Sequence, residues 1–245
     1  MLIPTGIEFL DKQIGGLHEG LVILYEDSGA GGKEFALTML INNANNFPLN
    51  YVAISKTAEE VRREIKLSFP EMGKEVQINI FSLSEYYFKD SVVPMRWISE
   101  KSALEILKEG KNILTKLAEL FDTLKGIVFL DSITDLARVS RKLGIEVLID
   151  MLKGLRSLCL RKGVLLMCLL TSNVLERGLE SEIFEIADGI IVFEWVAEKD
   201  TITKWMFFRK MLGIMPILEK ERILKYSTKV DPAQGFTISR IIRVL

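Results

Sequence analysis

Two short stretches carry residues whose types and spacing could do chemistry. The first is Asp27-Ser28-Gly29-Ala30-Gly31-Gly32-Lys33-Glu34. It follows the apolar run Leu21-Val22-Ile23-Leu24-Tyr25 and precedes the apolar run from Phe35 to Ile41, so a buried strand feeds a glycine-rich turn that opens a helix. In that setting successive backbone N–H groups and the helix N-terminus enclose a phosphate, while the lysine reaches its outer oxygens. Ser28, Gly29, Ala30, Gly31, Gly32, Lys33 and Glu34 are therefore the candidate cofactor-binding residues. The second stretch is Ile127-Val128-Phe129-Leu130-Asp131, an apolar strand ending in a carboxylate. Such a carboxylate can hold magnesium or its water, which makes Asp131 the candidate metal residue. Many buried strands also end in Asp as a helix cap, and Ser132 reads equally as a turn residue. The pairing with Lys33 gives the second stretch its weight.

Strand, glycine turn, lysine and helix are the context of a Walker A loop, but two positions depart from the pattern. Asp27 stands where the motif starts with glycine. Glu34 stands where Ser or Thr would ligate magnesium, and it adds negative charge near a triphosphate unless it joins Asp131 as a second metal carboxylate.

The elements that must position these residues follow from periodicity. Thr5-Gly6-Ile7-Glu8 has capping-box spacing ahead of a short helix that Gly15-Gly16 ends. Tyr51 to Ser55 reads as the second strand. Thr57-Ala58-Glu59-Glu60 repeats the capping box, and Val61 to Leu67 continues as a helix. Val76 to Phe81 alternates as a strand does, and Ser82 to Val93 reads as a loop. From Ser102, the residues Leu104, Leu107, Leu114, Leu117 and Phe121 predict one long amphipathic helix. A helix bearing Val147, Leu148, Leu152 and Leu155 runs to about Leu160, and Val164 to Leu170 is a core strand. Ile190–Glu194 and Thr203–Arg209 predict a strand pair, and Phe236–Val244 a last strand. Strands alternate with helices and then dominate, which implies a mostly parallel sheet covered by helices and extended by antiparallel C-terminal strands. Sites in such folds lie beyond the carboxyl ends of the strands, where both motifs fall.

Taken together, these segments resemble the single-domain archaeal KaiC-like and RadA-like ATPases of the RecA superfamily. The opening pattern is present as Thr5-Gly6, Leu10-Asp11 and Gly15-Gly16. It is followed by Phe129-Leu130-Asp131-Ser132-Ile133-Thr134, Leu169-Leu170-Thr171-Ser172, Ile186-Ala187-Asp188-Gly189-Ile190-Ile191 and Lys210-Met211-Leu212-Gly213. The resemblance spans nearly the whole chain and implies an α/β fold: one three-layer P-loop NTPase core of RecA/KaiC type over residues 1–245. It implies ATP and Mg2+ as ligands. It also implies that Lys210 reaches the phosphates of a nucleotide held by a neighbouring subunit.

Where the family usually carries paired glutamates after its second strand, this chain has Ser55 and Lys56. A serine cannot replace a carboxylate base at neutral pH, and a cationic lysine cannot accept a proton. Glu59 and Glu60 are alternative bases, but helix capping explains them more cheaply. The family's late arginine is Leu212 here. Turnover needs in-line water, magnesium and charge neutralisation together, and the substitutions weaken all three. No residue is assigned as catalytic. The expected protein is an inactive or weak ATPase serving as a regulatory or protein-interaction module. The alternatives are a magnesium-dependent ATPase and an accessory protein of DNA recombination or repair.

Composition bounds these readings. At 245 residues, 49% of them hydrophobic, the chain can bury one substantial core. Lys+Arg 32 against Asp+Glu 33 leaves a net charge of -1, so no global field draws it to nucleic acid. The start of the chain lacks an export pattern, and apolar runs stop short of membrane-spanning length, which predicts a cytoplasmic protein with no membrane partner. A homodimer or higher homo-oligomer is expected, with a protein or peptide partner along a sheet edge as a further mode. Sparse His, Gln and Cys beside many Lys and Glu point to a thermophilic source. Cys159 and Cys168 read as core thiols, and His18 as an exposed turn residue. Tyr86, Tyr87 and Trp97 read as loop packing rather than base-stacking groups. Of Trp195 and Trp205, which flank a polar turn, an exposed one would offer a contact surface.

Overall fold

The computed structural model describes residues 2–72, 76–198 and 201–243. In chain order the first elements are β1 (Leu2–Ile3), α1 (Glu8–Ile14), β2 (Leu17–His18), β3 (Gly20–Glu26), α2 (Gly32–Asn42), β4 (Leu49–Ala53), α3 (Ala58–Ser68) and β5 (Asn79–Ser82). The middle of the chain adds α4 (Ser84–Phe88), α5 (Ala103–Lys108), α6 (Ile113–Phe121), β6 (Ile127–Asp131), α7 (Ile133–Ser140), α8 (Ile145–Lys162), β7 (Leu165–Thr171) and α9 (Arg177–Ile186). Then come β8 (Gly189–Glu198), β9 (Thr201–Met211), α10 (Met215–Lys220), β10 (Ile223–Asp231) and β11 (Gly235–Arg243).

Among the described residues the main sheet has nine strands in the order β11-β10-β9-β8-β3-β7-β6-β4-β5. Strands β8, β3, β7, β6, β4 and β5 are parallel, and β9, β10 and β11 continue antiparallel from β8. The α/β class with its antiparallel extension is thus as expected. The inner strands β3, β4, β6 and β7 and the first half of β8 are buried on both faces, and the period of two divides their residues between two apolar cores. Val22, Leu24, Tyr51, Phe129, Met167 and Phe193 pack toward α1, α2 and α3. Leu21, Ile23, Val52, Leu130, Cys168 and Val192 pack toward the helices α5 to α9. Helices therefore cover both faces, giving three layers.

Several expectations change in detail. The first capping box does not form. Ile7 is the N-cap of α1, and the Asp11 carboxylate instead accepts from Thr5 N (2.7 Å), Thr5 Oγ1 (2.7 Å) and Gly6 N (2.9 Å). The second does form, with Thr57 and Glu60 exchanging hydrogen bonds ahead of α3. The expected long helix from Ser102 is two, α5 and α6, broken where Gly110 takes φ +62 and Asn112 caps the second. Within the expected loop 82–93, Ser84–Phe88 is helical. Strand β5 begins only at Asn79. The sequence reading missed β10, and Val244 of the expected last strand lies outside the described residues. Cys159 and Cys168 are buried and unpaired. Trp205 is buried and Trp195 is 42% exposed.

Candidate functional site

Register places the ends of the parallel strands together. Glu26 of β3 lies opposite Thr171 of β7 and Phe193 of β8, and Ala53 of β4 opposite Asp131 of β6. Glu26 shares strand parity with Val22 and Leu24, and Asp131 with Ile127 and Phe129, so both carboxylates face the α2–α3 layer. An apolar strand that ends in a charged residue of core-facing parity must give that charge partners.

Asp131 has them. Its Oδ2 accepts from the Tyr51 hydroxyl at 2.5 Å and lies 3.2 Å from Lys33 Nζ and 3.1 Å from Lys56 Nζ. Both lysines also bind Glu64 of α3, Lys56 at 3.0 Å and Lys33 through a close contact. The two ammonium groups thus bridge the same pair of carboxylates. Burial alone would raise the carboxyl of Asp131, but the neighbouring Lys33 and Lys56 charges hold it below its ordinary value. Burial likewise works against Glu64 and is overcome by the same two lysines. Lys56, which burial would lower, is raised by Asp131 and Glu64 and stays charged.

The glycine turn is closed from within. Ala30 N donates to Asp27 O at 2.8 Å. The Asp27 carboxylate accepts from Ser172 Oγ (2.6 Å) and Trp195 N (3.3 Å), and Trp195 Nε1 donates to Ser28 O (3.1 Å). Gly31 has φ +118, and a Cβ there would come within 3.1 Å of the Phe236 ring. At the start of α2, Gly32 N and Lys33 N donate to Glu26 Oε2 at 2.7 and 3.3 Å. Burial pushes the Glu26 carboxyl up to about 7, with the nearby charges of Glu34 and Asp131 adding to the rise.

The structure therefore brings the glycine turn, Lys33 and Asp131 to one place, and puts Lys56 there as well. Ser55 Oγ donates to Asp135 Oδ2 at 2.7 Å, and Ser132 caps α7. Glu59 and Glu60 are exposed. Lys210 lies elsewhere: it pairs with Ile190 at the start of β8, at the opposite end of the sheet, and donates to Phe184 O and Glu185 O. Within one chain it does not approach Lys33, so only a neighbouring subunit's site is open to it. Sequence reasoning missed Glu26 and Glu64. The parity of Glu26 on an otherwise buried strand could have found it.

These groups as placed do not fit a magnesium nucleotide. A divalent cation at Asp131 Oδ2 would share its surroundings with two ammonium groups, and the first two amides of α2 already hold a carboxylate.

A glycine loop between the central strand β3 and its helix, facing an aspartate at the end of the parallel strand β6, one strand removed across β7, defines the P-loop α/β class. The sequence profile of the family described as "ATPase: KaiC" matches residues 3–219, and the chain belongs to that family. A KaiC-like protein from the hyperthermophilic archaeon Pyrococcus horikoshii OT3 has a similar structure, with TM-score 0.65, 21% identity, and 98% of this chain and 99% of that one covered. The flagellar accessory protein FlaH from Methanocaldococcus jannaschii is similar at TM-score 0.65 and 14% identity, with 95% of each chain covered. At these identities the likeness is one of fold. No curated protein matches the sequence. Among the described residues no helix is long and apolar enough to cross a membrane.

Proposed function

We propose that this KaiC-family chain, one RecA/KaiC-like core over residues 1–245, does not turn over ATP efficiently and works as a regulatory or protein-interaction module. The observation that carries this reading is Lys56 Nζ at 3.1 Å from Asp131 Oδ2. An ammonium stands where a P-loop hydrolase needs a metal ion, and it comes from the position at which the family resemblance leads one to expect a carboxylate base. Phosphoryl transfer depends on positioning and charge neutralisation by the metal, so a fixed lysine there removes both the cation and the base.

The surfaces support a binding role. Strand β5 is an edge of the sheet, and beside it Ile65, Phe69, Ile78 and Ile80 line a groove of about 760 Å³ rimmed by Arg62 and Lys66. An extended segment of a second copy or of a partner protein could add to such an edge. A homo-oligomer is the simplest assembly of this kind.

A second reading keeps nucleotide binding without turnover, and one observation favours it: Lys33 and Asp131 remain 3.2 Å apart at the strand ends. Equilibrium titration of the full chain with ATP, with and without magnesium, together with a phosphate-release assay, both beside Lys33→Ala, separates these readings. No magnesium-dependent turnover is expected. Turnover lost in Lys33→Ala would overturn the proposal, and binding without turnover that requires Lys33 would select the second reading.

A further inference from the structure

Glu26 is the last residue of β3, 7% exposed, and directed by strand parity into the α2 layer. Its Oε2 holds Gly32 N–H and Lys33 N–H, the first two amides of α2. Those amides have no acceptor inside their own helix and lie at its positive end. They are the donors a glycine loop presents to a phosphoryl group. A Cβ added to Gly32 would lie 2.8 Å from Glu26 Oε2 and 3.1 Å from the Phe193 ring, so glycine is what allows the carboxylate to approach. The rings of Phe35, Phe193 and Phe236 pack edge or tilted against one another around the turn. At its outer side the turn is fastened through Asp27 to Ser172 and through Ser28 O to Trp195. The charges felt by this carboxylate are those of Glu34 of α2 and Asp131 of β6, while the Lys33 ammonium is turned to Asp131 and Glu64.

We infer that Glu26 is an autoinhibitory ligand of its own glycine loop: its carboxylate occupies the two amides at which a phosphoryl group would be held, and it keeps the loop closed with no nucleotide present. The inference rests on the proposed reading of this site as a P-loop without turnover, and extends it from the metal side to the phosphate side. A tethered carboxylate competes at the high effective concentration of an intramolecular group. A phosphate that displaced it would leave Glu26 buried, unpaired, and close to Glu34 and Asp131 as well as to the incoming anion. Both effects oppose entry.

The test uses inorganic pyrophosphate, titrated calorimetrically without magnesium into the full chain at pH 8. Glu26→Ala is expected to bind it at least tenfold more tightly than the unaltered chain. Adding Lys33→Ala to that variant is expected to abolish the gain. Glu26→Gln keeps the side-chain volume and a neutral acceptor, so it preserves the packing if Ala does not, and a gain of a few-fold is expected from the lost repulsion alone. Equal pyrophosphate affinity in the unaltered chain and in folded Glu26→Gln and Glu26→Ala would overturn the inference. So would tight pyrophosphate binding by the unaltered chain. ATP turnover by the unaltered chain would sink the proposed function while leaving the comparison at Glu26 readable. A silent Glu26 series in an inactive protein would sink only this inference.

Discussion

Lys56 Nζ lies 3.1 Å from Asp131 Oδ2, on the same oxygen that Lys33 approaches to 3.2 Å. Two cations therefore compensate one buried carboxylate, and neither is its sole partner. Removing a sole partner from a buried charge costs about 3–5 kcal/mol. Lys56→Ala leaves Lys33 in place, and the Lys56 side chain is 32% exposed, so a loss of about 1 kcal/mol is expected. Lys33→Ala is expected to behave similarly. The double variant leaves both Asp131 and Glu64 without a lysine and should lose clearly more than the sum. Urea denaturation of the four proteins checks this, and strict additivity would show that the lysines do not share their carboxylates.

Tyr51 supplies the remaining bond to that oxygen, a hydroxyl donating at 2.5 Å from a fully buried ring. Tyr51→Phe preserves the edge-to-face contact with Phe129 and removes only the donor. A hydrogen bond to a charged group contributes about 1.5–3 kcal/mol, and the lower end is expected because both lysines stay. The urea midpoint should fall without a change in slope. An unchanged midpoint would mean that the hydroxyl adds nothing to what the lysines already supply.

The sheet was legible because its strands are apolar on both faces and its turns carry glycine. Leu21–Tyr25, Ile127–Asp131 and Val164–Leu170 announce buried parallel strands, and the order of motifs places them in one family. The glycine loop, Lys33 and Asp131 were legible for the same reason. What the sequence concealed is tertiary. Glu64 sits on a helix whose local pattern explains it as a surface residue, and only the tertiary placement of α3, packed against β5, turns it toward Lys33 and Lys56. Glu26 looks like the polar end of a strand until the helix start closes over it. The apolar spacing from Leu104 to Phe121 spans a break because Gly110 adopts a left-handed backbone and Asn112 restarts the helix, and apolar periodicity does not register either.

Cys159 and Cys168 are 1% and 0% exposed, and burial pushes the Cys159 thiol up to about 12 and raises that of Cys168 well above its ordinary value. The thiolate is the reactive form, so both should resist iodoacetamide in the native protein at pH 8. Alkylation followed by mass spectrometry is expected to show no modified native chain over a period in which the urea-unfolded chain takes up two labels. Rapid labelling of the native protein at Cys159 would mean that α8 opens readily from the sheet.

The acidic groups of the site predict an unusual dependence of stability on pH. Asp131 and Glu64 are held below their ordinary values in the folded chain. Their contribution is present above the carboxylate values of the unfolded chain and is lost as pH falls through the folded ones. Glu26 has the opposite sign: its folded carboxyl titrates at about 7 against an ordinary 4.5. Between those values the folded chain binds a proton that the unfolded chain has released, so stability declines as pH rises across that window. The full span corresponds to about 3 kcal/mol at this buried group. Stability should therefore be greatest in mild acid, fall on either side, and level off above neutrality. Glu26→Gln cannot take up the proton, so its stability should stay flat from pH 4.5 to 7 relative to the unaltered chain while keeping the loss below that range. Urea midpoints measured at intervals across both proteins read the difference directly. Parallel curves would mean that Glu26 titrates as an ordinary carboxylate, with its bonds to Gly32 and Lys33 offsetting the cost of burial.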